Sequence, residues 1–303
     1  MKTLLSKLSP YKSIGVCVGE HEISACKTAS TPFGPVAIAL ATEPCSADDV
    51  EELIQKLLEP LMGSKRGFPV AVGVPPSRLY FGSRVIPANA ETTAESLLQK
   101  TLMSTTISVE DLTADMLVTT VDKVNVASIV ACRSKFASVV VDSLAASGVR
   151  PRRVEPLPCP LLRKAVATKG YPRRAKAAVC VFLGESQGLA AVAAGEQPLA
   201  WRTFALEAGK EGAAVVSAVR TLRMQSKNYG VDSFIEHLVI HGRPELHERL
   251  QEEQLPTMIG VRVIWQKGPA FDCAVIAQNL AADCLKPKKN AYDLSRTLKG
   301  RAS

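Results

Sequence analysis

Two stretches of this chain, about 165 residues apart, repeat one local pattern. The first is Ser13-Ile14-Gly15-Val16-Cys17-Val18-Gly19-Glu20-His21-Glu22-Ile23-Ser24-Ala25, and the second is Val179-Cys180-Val181-Phe182-Leu183-Gly184-Glu185-Ser186-Gln187-Gly188-Leu189-Ala190-Ala191. Each is a short apolar run that ends in Gly-Glu and is followed by a second apolar segment. Such a pattern reads as a buried strand, a tight turn and a returning strand. A repeat at this distance predicts two related lobes, with both glycine turns pointed into the cleft between them.

With 303 residues the chain is long enough for two lobes, each with its own core. A hydrophobic content of 47% with 22% charged residues fits a soluble globular protein. No apolar run approaches the ~18–20 residues of a membrane-spanning helix. The opening MKTLLSKLSP is too short and too interrupted for a signal peptide and is expected to be a frayed start. The eight cysteines form no C-x-x-C pair and have no regular spacing. That argues against a zinc site or a disulfide framework and for a reducing, cytoplasmic setting.

The net charge of +8 is unevenly spread. Residues 150–176 carry Arg150, Arg152, Arg153, Arg163, Lys164, Lys169, Arg173, Arg174 and Lys176 against Glu155 alone, a net of +8. The tail from Lys286 onward is at +5, which leaves the remainder at −5. Two basic segments on a mildly acidic body suit an anionic membrane surface or an acidic partner; a merely solvated charge run is the plain alternative. No aromatics interleave with these charges, so nucleic acid is not expected as a partner.

Along the chain, strands are expected at Gly34–Ala41, Phe68–Val74 and Leu79–Ile86, with a helix at Ala47–Met62 capped by Ser46. Residues 87–150 read as helix, strand, strand, helix, ending with the helix Ser134–Ala146. This is a small inserted α+β subdomain. A proline-rich basic connector, Pro151–Pro172, leads through a helix at Leu161–Thr168 to the second lobe. That lobe holds the repeated strand pair, the strand Leu199–Phe204, a long helix from about Lys210 to Asn228, and the strand Ile235–Ile240. A helix near Pro244–Glu253, the strand Val261–Trp265 and a final helix at Ala270–Cys284 complete it. The expected division is a first lobe of residues 1–86 with about 151–172 and 270–285, an insert of 87–150, a second lobe of 173–269, and a basic extended tail of 286–303.

In this order the segments resemble the PilM family, the cytoplasmic actin-like components of type IV pilus assembly, related to FtsA and to the cytoplasmic part of GspL. The resemblance spans about residues 13–285 and lies in the order and spacing of its segments. They are Ile14–Gly19, the stretch SIVACRSKFASVVVDSLAASGVRPRRVE from Ser128, the segment Val181–Phe204 with Trp201-Arg202, and Leu238-Val239-Ile240-His241-Gly242-Arg243. It implies an α/β, actin-like (ribonuclease H-like) two-lobe fold. It also implies a nucleotide cleft at Gly15, Cys17, Gly19, Phe182, Gly184, Ser217, Arg220, Gly242 and Arg243.

The departures from the family pattern matter more. Active members carry an aspartate in each phosphate turn, because a hard divalent cation takes oxygen ligands. Those positions here are Cys17 and Phe182, and a thiol or a phenyl ring is no ligand for magnesium. Ser24 replaces a lysine, Arg243 the second glycine of the adenosine turn, and Ser217 the ribose glutamate, while Arg220 is retained. The cleft is therefore expected to be vestigial, with no catalytic residue, metal or cofactor.

Other candidates are weaker. Glu20, His21 and Glu22 suggest acid–base chemistry, but polar residues are the default on a turn. His237 and His241 bracket a strand, so the helical spacing of a zinc pair is missing, and His247 and Glu248 read as a solvated helix surface. Gly19 and Gly184 could cradle an anion through backbone N–H groups or could serve only to reverse the chain. In the tail, Tyr292-Asp293-Leu294-Ser295-Arg296-Thr297-Leu298 alternates apolar and polar residues. In PilM-like systems a short peptide of the membrane partner PilN docks beside the inserted subdomain. The tail either engages such a groove, on its own lobe or on a neighbouring copy, or is a disordered linker.

These observations point to a non-catalytic scaffold, cytoplasmic and peripheral on the inner membrane, in a type IV pilus or type II secretion platform. A PilN-like membrane protein, other platform components and further copies in an oligomer or ring are the expected partners. Arg150, Arg152, Arg153, Arg173, Arg174, Leu294, Arg296 and Leu298 would contact partner or lipid. The rival is an active ATPase or kinase that binds ATP and magnesium through a shifted site at Glu20 and Glu185.

Overall fold

The computed structural model describes residues 11–46, 49–63, 67–86, 94–102, 107–149, 151–173, 175–242, 244–252, 260–268, 270–285 and 291–295. Its strands are β1 (Lys12–Val18), β2 (Glu22–Thr31), β3 (Gly34–Pro44), β4 (Val70–Val74), β5 (Leu79–Ile86), β6 (Leu112–Val121), β7 (Val124–Arg133), β8 (Pro151–Pro156), β9 (Ala177–Leu183), β10 (Gln187–Ala194), β11 (Gln197–Ala205), β12 (Ile235–Gly242) and β13 (Arg262–Lys267). Its helices are α1 (Val50–Met62), α2 (Ala94–Leu102), α3 (Ser134–Ala146), α4 (Pro158–Ala167), α5 (Glu211–Tyr229), α6 (Pro244–Glu252) and α7 (Cys273–Cys284).

The repeat read from the sequence is a repeat in space. One five-stranded sheet runs β3-β2-β1-β4-β8 and the other β11-β10-β9-β12-β13. In each, the glycine-ended strand pairs antiparallel with the strand after it and parallel with a later one. Both central strands are buried along almost their whole length, as continuous apolar runs require. Helices α1 and α3 pack together outside the first sheet and α5 lies outside the second. Between the sheets, α4 and α7 share one core with the inner faces of the strands: Leu161, Leu162, Ile276 and Leu280 belong to one cluster with Cys17, Ala71, Cys180, Phe182 and Val239.

The contact of α7 with β1 is the tightest in the fold. Ser13, Gly15, Cys17 and Gly19 share one face of the first strand, by its two-residue period. Helix positions 273, 277 and 281, spaced by four, lie over them. A Cβ on Gly15 would sit 2.0 Å from the Ala277 carbonyl oxygen and 2.5 Å from the Ala281 nitrogen. The Ser13 hydroxyl donates to the Ala281 carbonyl at 2.5 Å. Gly73 on β4 is crowded too, though by side chains: its missing Cβ falls 2.5 Å from a Leu157 methyl and 3.0 Å from one of Leu280. Small residues on the strands thus let the helix backbone lie directly on the sheet.

Several expected boundaries move. β5 is not in the first sheet but pairs with β7 in a three-stranded sheet ordered β5-β7-β6. α3 leaves the insert: its Ala137, Val140 and Leu144 belong to the core of the first lobe. The connector Pro151–Pro172 contains the edge strand β8. Proline is tolerated there because an edge strand has one side without ladder bonds. The Ser46 cap does not form, since α1 begins after Asp49, to which the Ser46 hydroxyl donates at 2.5 Å.

The inserted sheet also touches the second lobe. The Phe81 and Trp201 rings lie 3.8 Å apart between centroids, Val121 and Val126 enter the second core, and Lys176 pairs with Asp122 at 2.6 Å. Gly15→Ala is expected to cost about 3 kcal/mol or more, because a rigid backbone has to give way. Urea denaturation of the variant checks this; an unchanged midpoint would mean that α7 does not lie against β1 as described.

Candidate functional site

Both glycine turns close with the same bond. Gly19 N–H donates to the Glu22 carbonyl at 2.9 Å, and Gly184 N–H donates to the Gln187 carbonyl at 2.8 Å. These two donors are therefore spent within their turns and are not offered to an anion. Neither residue needs a left-handed backbone. Glycine is required for space: a Cβ on Gly19 would lie 2.5 Å from the Cys273 sulfur, and one on Gly184 would lie 2.3 Å from the Phe271 carbonyl oxygen. The two turns thus grip residues 271–273, the entry to α7, from opposite sides. Asp272 caps that helix by accepting from the Val275 N–H at 3.0 Å.

Above this wedge is a cavity of about 280 Å³. The structure brings together Gly19 and Glu20–Glu22 from the first turn with Glu185–Gln187 from the second. Pro75, Pro76, Leu157, Ile276 and Phe271–Cys273 complete its wall. Four carboxylates line it (Glu20, Glu22, Glu185 and Asp272), and among the described residues its lining contains neither lysine nor arginine. A polyphosphate entering here would meet charge of its own sign. Glu20 accepts a hydrogen bond from the Ser77 hydroxyl at 2.6 Å. Among the described residues, no three His, Cys, Asp or Glu side chains are grouped to hold a metal ion.

Cys17 and Phe182, the residues expected at the metal positions, do not line this cavity. Cys17 is fully buried; burial, with help from the neighbouring Cys273 thiol and nearby carboxylates, pushes its pKa well above the ordinary value. A neutral thiol in that setting is an apolar filler. Phe182 is fully buried too, its ring stacked on His241 with centroids 4.9 Å apart and planes within 9°. Sequence reasoning missed this stack; its signal was the register that sets Phe182 beside His241 on adjacent parallel strands.

The other expected cleft residues scatter. Ser217 and Arg220 lie on the exposed side of α5, and neither they, Gly15 nor Gly242 lines the cavity. Gly184 borders a separate hollow with Glu207, Glu211 and Leu246. Arg243 lies outside the described residues, as do Arg150, Arg174, Arg296 and Leu298. His247, expected on a solvated surface, is instead buried with its ring centroid 5.2 Å from that of Trp265.

Two of the residues assigned to partner or lipid contact point inward. Arg153 is 8% exposed and pairs with Glu155 at 2.9 Å. Arg163, counted in the same basic segment, is 6% exposed and holds both Glu155 oxygens, at 2.6 and 2.8 Å, and Asp283 at 2.5 Å. Burial opposes the Arg163 charge, but Glu155 and Asp283 outweigh it and raise its pKa. These cations neutralise the fully buried Glu155 rather than facing a membrane. Arg152 is exposed, with one guanidinium nitrogen donating to the Cys284 carbonyl at 2.8 Å, and Arg173 is exposed as well. Leu294 is completely buried, so it faces no lipid.

Burial, with a smaller contribution from His247, holds the His241 pKa at about 4, against an ordinary 6.5. The folded state keeps this ring neutral while the unfolded chain takes up a proton. The stabilising contribution is therefore complete above pH 6.5 and is lost as pH falls toward 4. Between those limits the protein should lose on the order of 3 kcal/mol more than a His241→Leu variant. Urea denaturation at pH 7 and pH 4.5 checks this; parallel losses in the two proteins would remove His241 as the cause.

No family model matches the chain, and no curated protein matches it. Solved structures do. The PilM–PilN type IV pilus biogenesis complex aligns with a TM-score of 0.62 at 16% identity, over 91% of this chain and 99% of that one. The cytoplasmic domain of EpsL, an inner-membrane component of the type II secretion system of Vibrio cholerae, aligns with a TM-score of 0.55 at 15% identity, over 92% of this chain and 97% of that one. A Bacteroides thetaiotaomicron protein with an actin-like ATPase fold and unknown function aligns with a TM-score of 0.53 at 12% identity, over 93% and 98% of the respective chains. With two matching five-stranded mixed sheets and a small antiparallel one, the chain has a mixed α/β actin-like ATPase fold.

Proposed function

We propose that this protein is a non-catalytic scaffold of a type IV pilus or type II secretion platform, joining membrane components to the assembly machinery by protein contacts. The observation that carries the non-catalytic part is the state of the two inherited metal positions. Cys17 lies against Cys273 and Phe182 against His241, with no exposed atom to offer a cation. The carboxylate lining of the neighbouring cavity supports the same reading, since it disfavours a polyphosphate. The platform role is supported by the fold shared with PilM and the EpsL cytoplasmic domain. By analogy with the PilM–PilN complex, a PilN-like membrane protein is the first partner, and further copies of the chain in an oligomer or ring are others.

No described helix is long and apolar enough to cross a membrane. In this reading the protein works at the cytoplasmic face as a peripheral component. Exposed cations such as Lys164, Lys169 and Arg173 attract anionic lipid by on the order of 1 kcal/mol each when well placed. The rival reading, an ATPase or kinase with a shifted metal site, draws on one observation: Glu20 and Glu185 line the same cavity.

Calorimetry with magnesium and ATP separates the two. The scaffold gives no saturable heat up to about 1 mM nucleotide. Micromolar binding abolished by Glu20→Ala or Glu185→Ala would establish the enzyme instead. Recovery of the protein from native membranes should bring a single-span membrane protein with it, and recovery without any membrane partner would count against the platform role.

A further inference from the structure

The edge strands of the three sheets differ in one respect. β8 carries Arg152, Arg153 and Glu155, β11 carries Arg202, β13 carries Arg262 and Lys267, β5 carries Arg84 and β6 carries Asp115. Charge on an edge discourages a further strand from pairing with it. β8 is covered as well: residues 291–295 lie against it, with Tyr292 buried and the Asp293 carboxylate accepting from the Val154 N–H at 3.1 Å. β3 is the exception. From Gly34 to Thr42 it has no Asp, Glu, Lys or Arg, and its Glu43 is paired with Lys56 of α1 at 3.0 Å. At 11 residues it is a long edge, and among the described residues no strand pairs with its outer side.

The pairing of β3 fixes which of its groups face out. Cys45, just past the strand, donates its N–H to the His21 carbonyl at 2.8 Å. Backbone groups alternate in direction along an antiparallel strand. Glu43, Ala41 and Ala39 therefore turn theirs toward Ile23, Ala25 and Lys27 of β2, and Thr42 and Leu40 turn theirs outward. Pro44 falls on the outward side, where a missing N–H breaks no ladder bond. A bulge bounds the run at its other end, since Lys27 faces Ala39 and Thr28 faces Ala37, leaving Ile38 extra. Ala39 and Ala41 pack against the core of the first lobe, whereas Leu40 is 54% exposed and Thr42 is exposed beside it. The straight run Ala39–Glu43 thus presents outward backbone groups and an apolar side chain to solvent.

We propose that this edge is an interface with a second copy of the chain, joined strand to strand about a two-fold axis at Ala41. Leu40 of each copy exchanges backbone hydrogen bonds with Thr42 of the other, and Ala41 faces its own counterpart. The occupant is a copy because an uncharged edge meets itself antiparallel with no like charges opposed, and one symmetric pairing satisfies the same outward groups on both sides. The register follows from the proline: an axis at Thr42 would set Leu40 against Pro44, which has no N–H to return. The contact is small beside the ~20–30 residues a side of a standard interface, so it is weak in dilute solution and favoured where copies are held close together. The proposal gives a surface to the further copies expected in the platform reading and rests on that reading only for what gathers them. Self-association of the purified chain tests it apart from any platform partner.

Sedimentation equilibrium of the full chain should show a monomer–dimer equilibrium with a Kd on the order of 100 μM. Leu40→Lys alters an exposed side chain and brings two like charges together near the axis. It should keep the circular dichroism of the parent and dimerise at least about tenfold more weakly. Ala41→Cys should form a disulfide-linked dimer on mild oxidation with diamide, because facing residues of a non-hydrogen-bonded pair have Cα atoms about 4.5 Å apart, within disulfide range. Ala39→Cys, which would face Glu43, should not cross-link, nor should the parent chain. A chain that stays monomeric at about 1 mM, as an edge reserved for a strand of another protein would, overturns the proposal. Dimerisation unchanged by Leu40→Lys, or equal cross-linking through Ala39→Cys and Ala41→Cys, overturns it too.

Discussion

The close seat of α7 on β1 governs the rest of the molecule. Because Gly15 has no side chain, the helix backbone lies on the strand, and the entry to the helix is carried up between the two glycine turns. Phe271 to Cys273 then occupy the space between Gly19 and Gly184. Cys17 and Phe182 follow from the same packing: each is buried against a protein neighbour, Cys273 and His241.

A second constraint ties the lobe edges to this helix. Glu155 on β8 is fully buried, and it is tolerated because Arg163 of α4 grips both of its oxygens while Arg153 pairs with one. Arg163 also reaches Asp283 on α7. Removing one member of such a group leaves an uncompensated charge at a cost of about 3–5 kcal/mol, so the network fixes the relative placement of β8, α4 and α7. The inserted sheet bridges the lobes on another side through Phe81 and Trp201, and residues 291–295 fasten it to β8. The cleft is braced from several directions.

The parts of this architecture that were legible in the sequence are those with local periodicity. β1 and β9 announced themselves as apolar runs ending in Gly-Glu, and the lobe repeat followed. β8 was not legible, because two prolines and Arg152-Arg153 read as a basic connector, and only the pairing with β4 makes it a strand. α3 was assigned to the insert because it follows β7 directly, whereas its apolar face belongs against α1. Charge counts gave the right sum for residues 150–176 but not the directions of Arg153 and Arg163, which a buried partner decides. For the site, the placement of Cys17 and Phe182 on buried central strands was readable from the apolar runs around them. The Phe182–His241 stack, the grip on residues 271–273 and the inward turn of Tyr292 depend on long-range packing that no local pattern encodes.

The most direct measurement is the distance between the lobes in solution, by electron–electron resonance between spin labels at Glu51 and Ser217, both exposed. A cleft braced by α7 gives one narrow distance distribution that is the same with and without magnesium and ATP. Two populations, or a shift when nucleotide is added, would show that the lobes open and close on a ligand and would contradict the packed cleft.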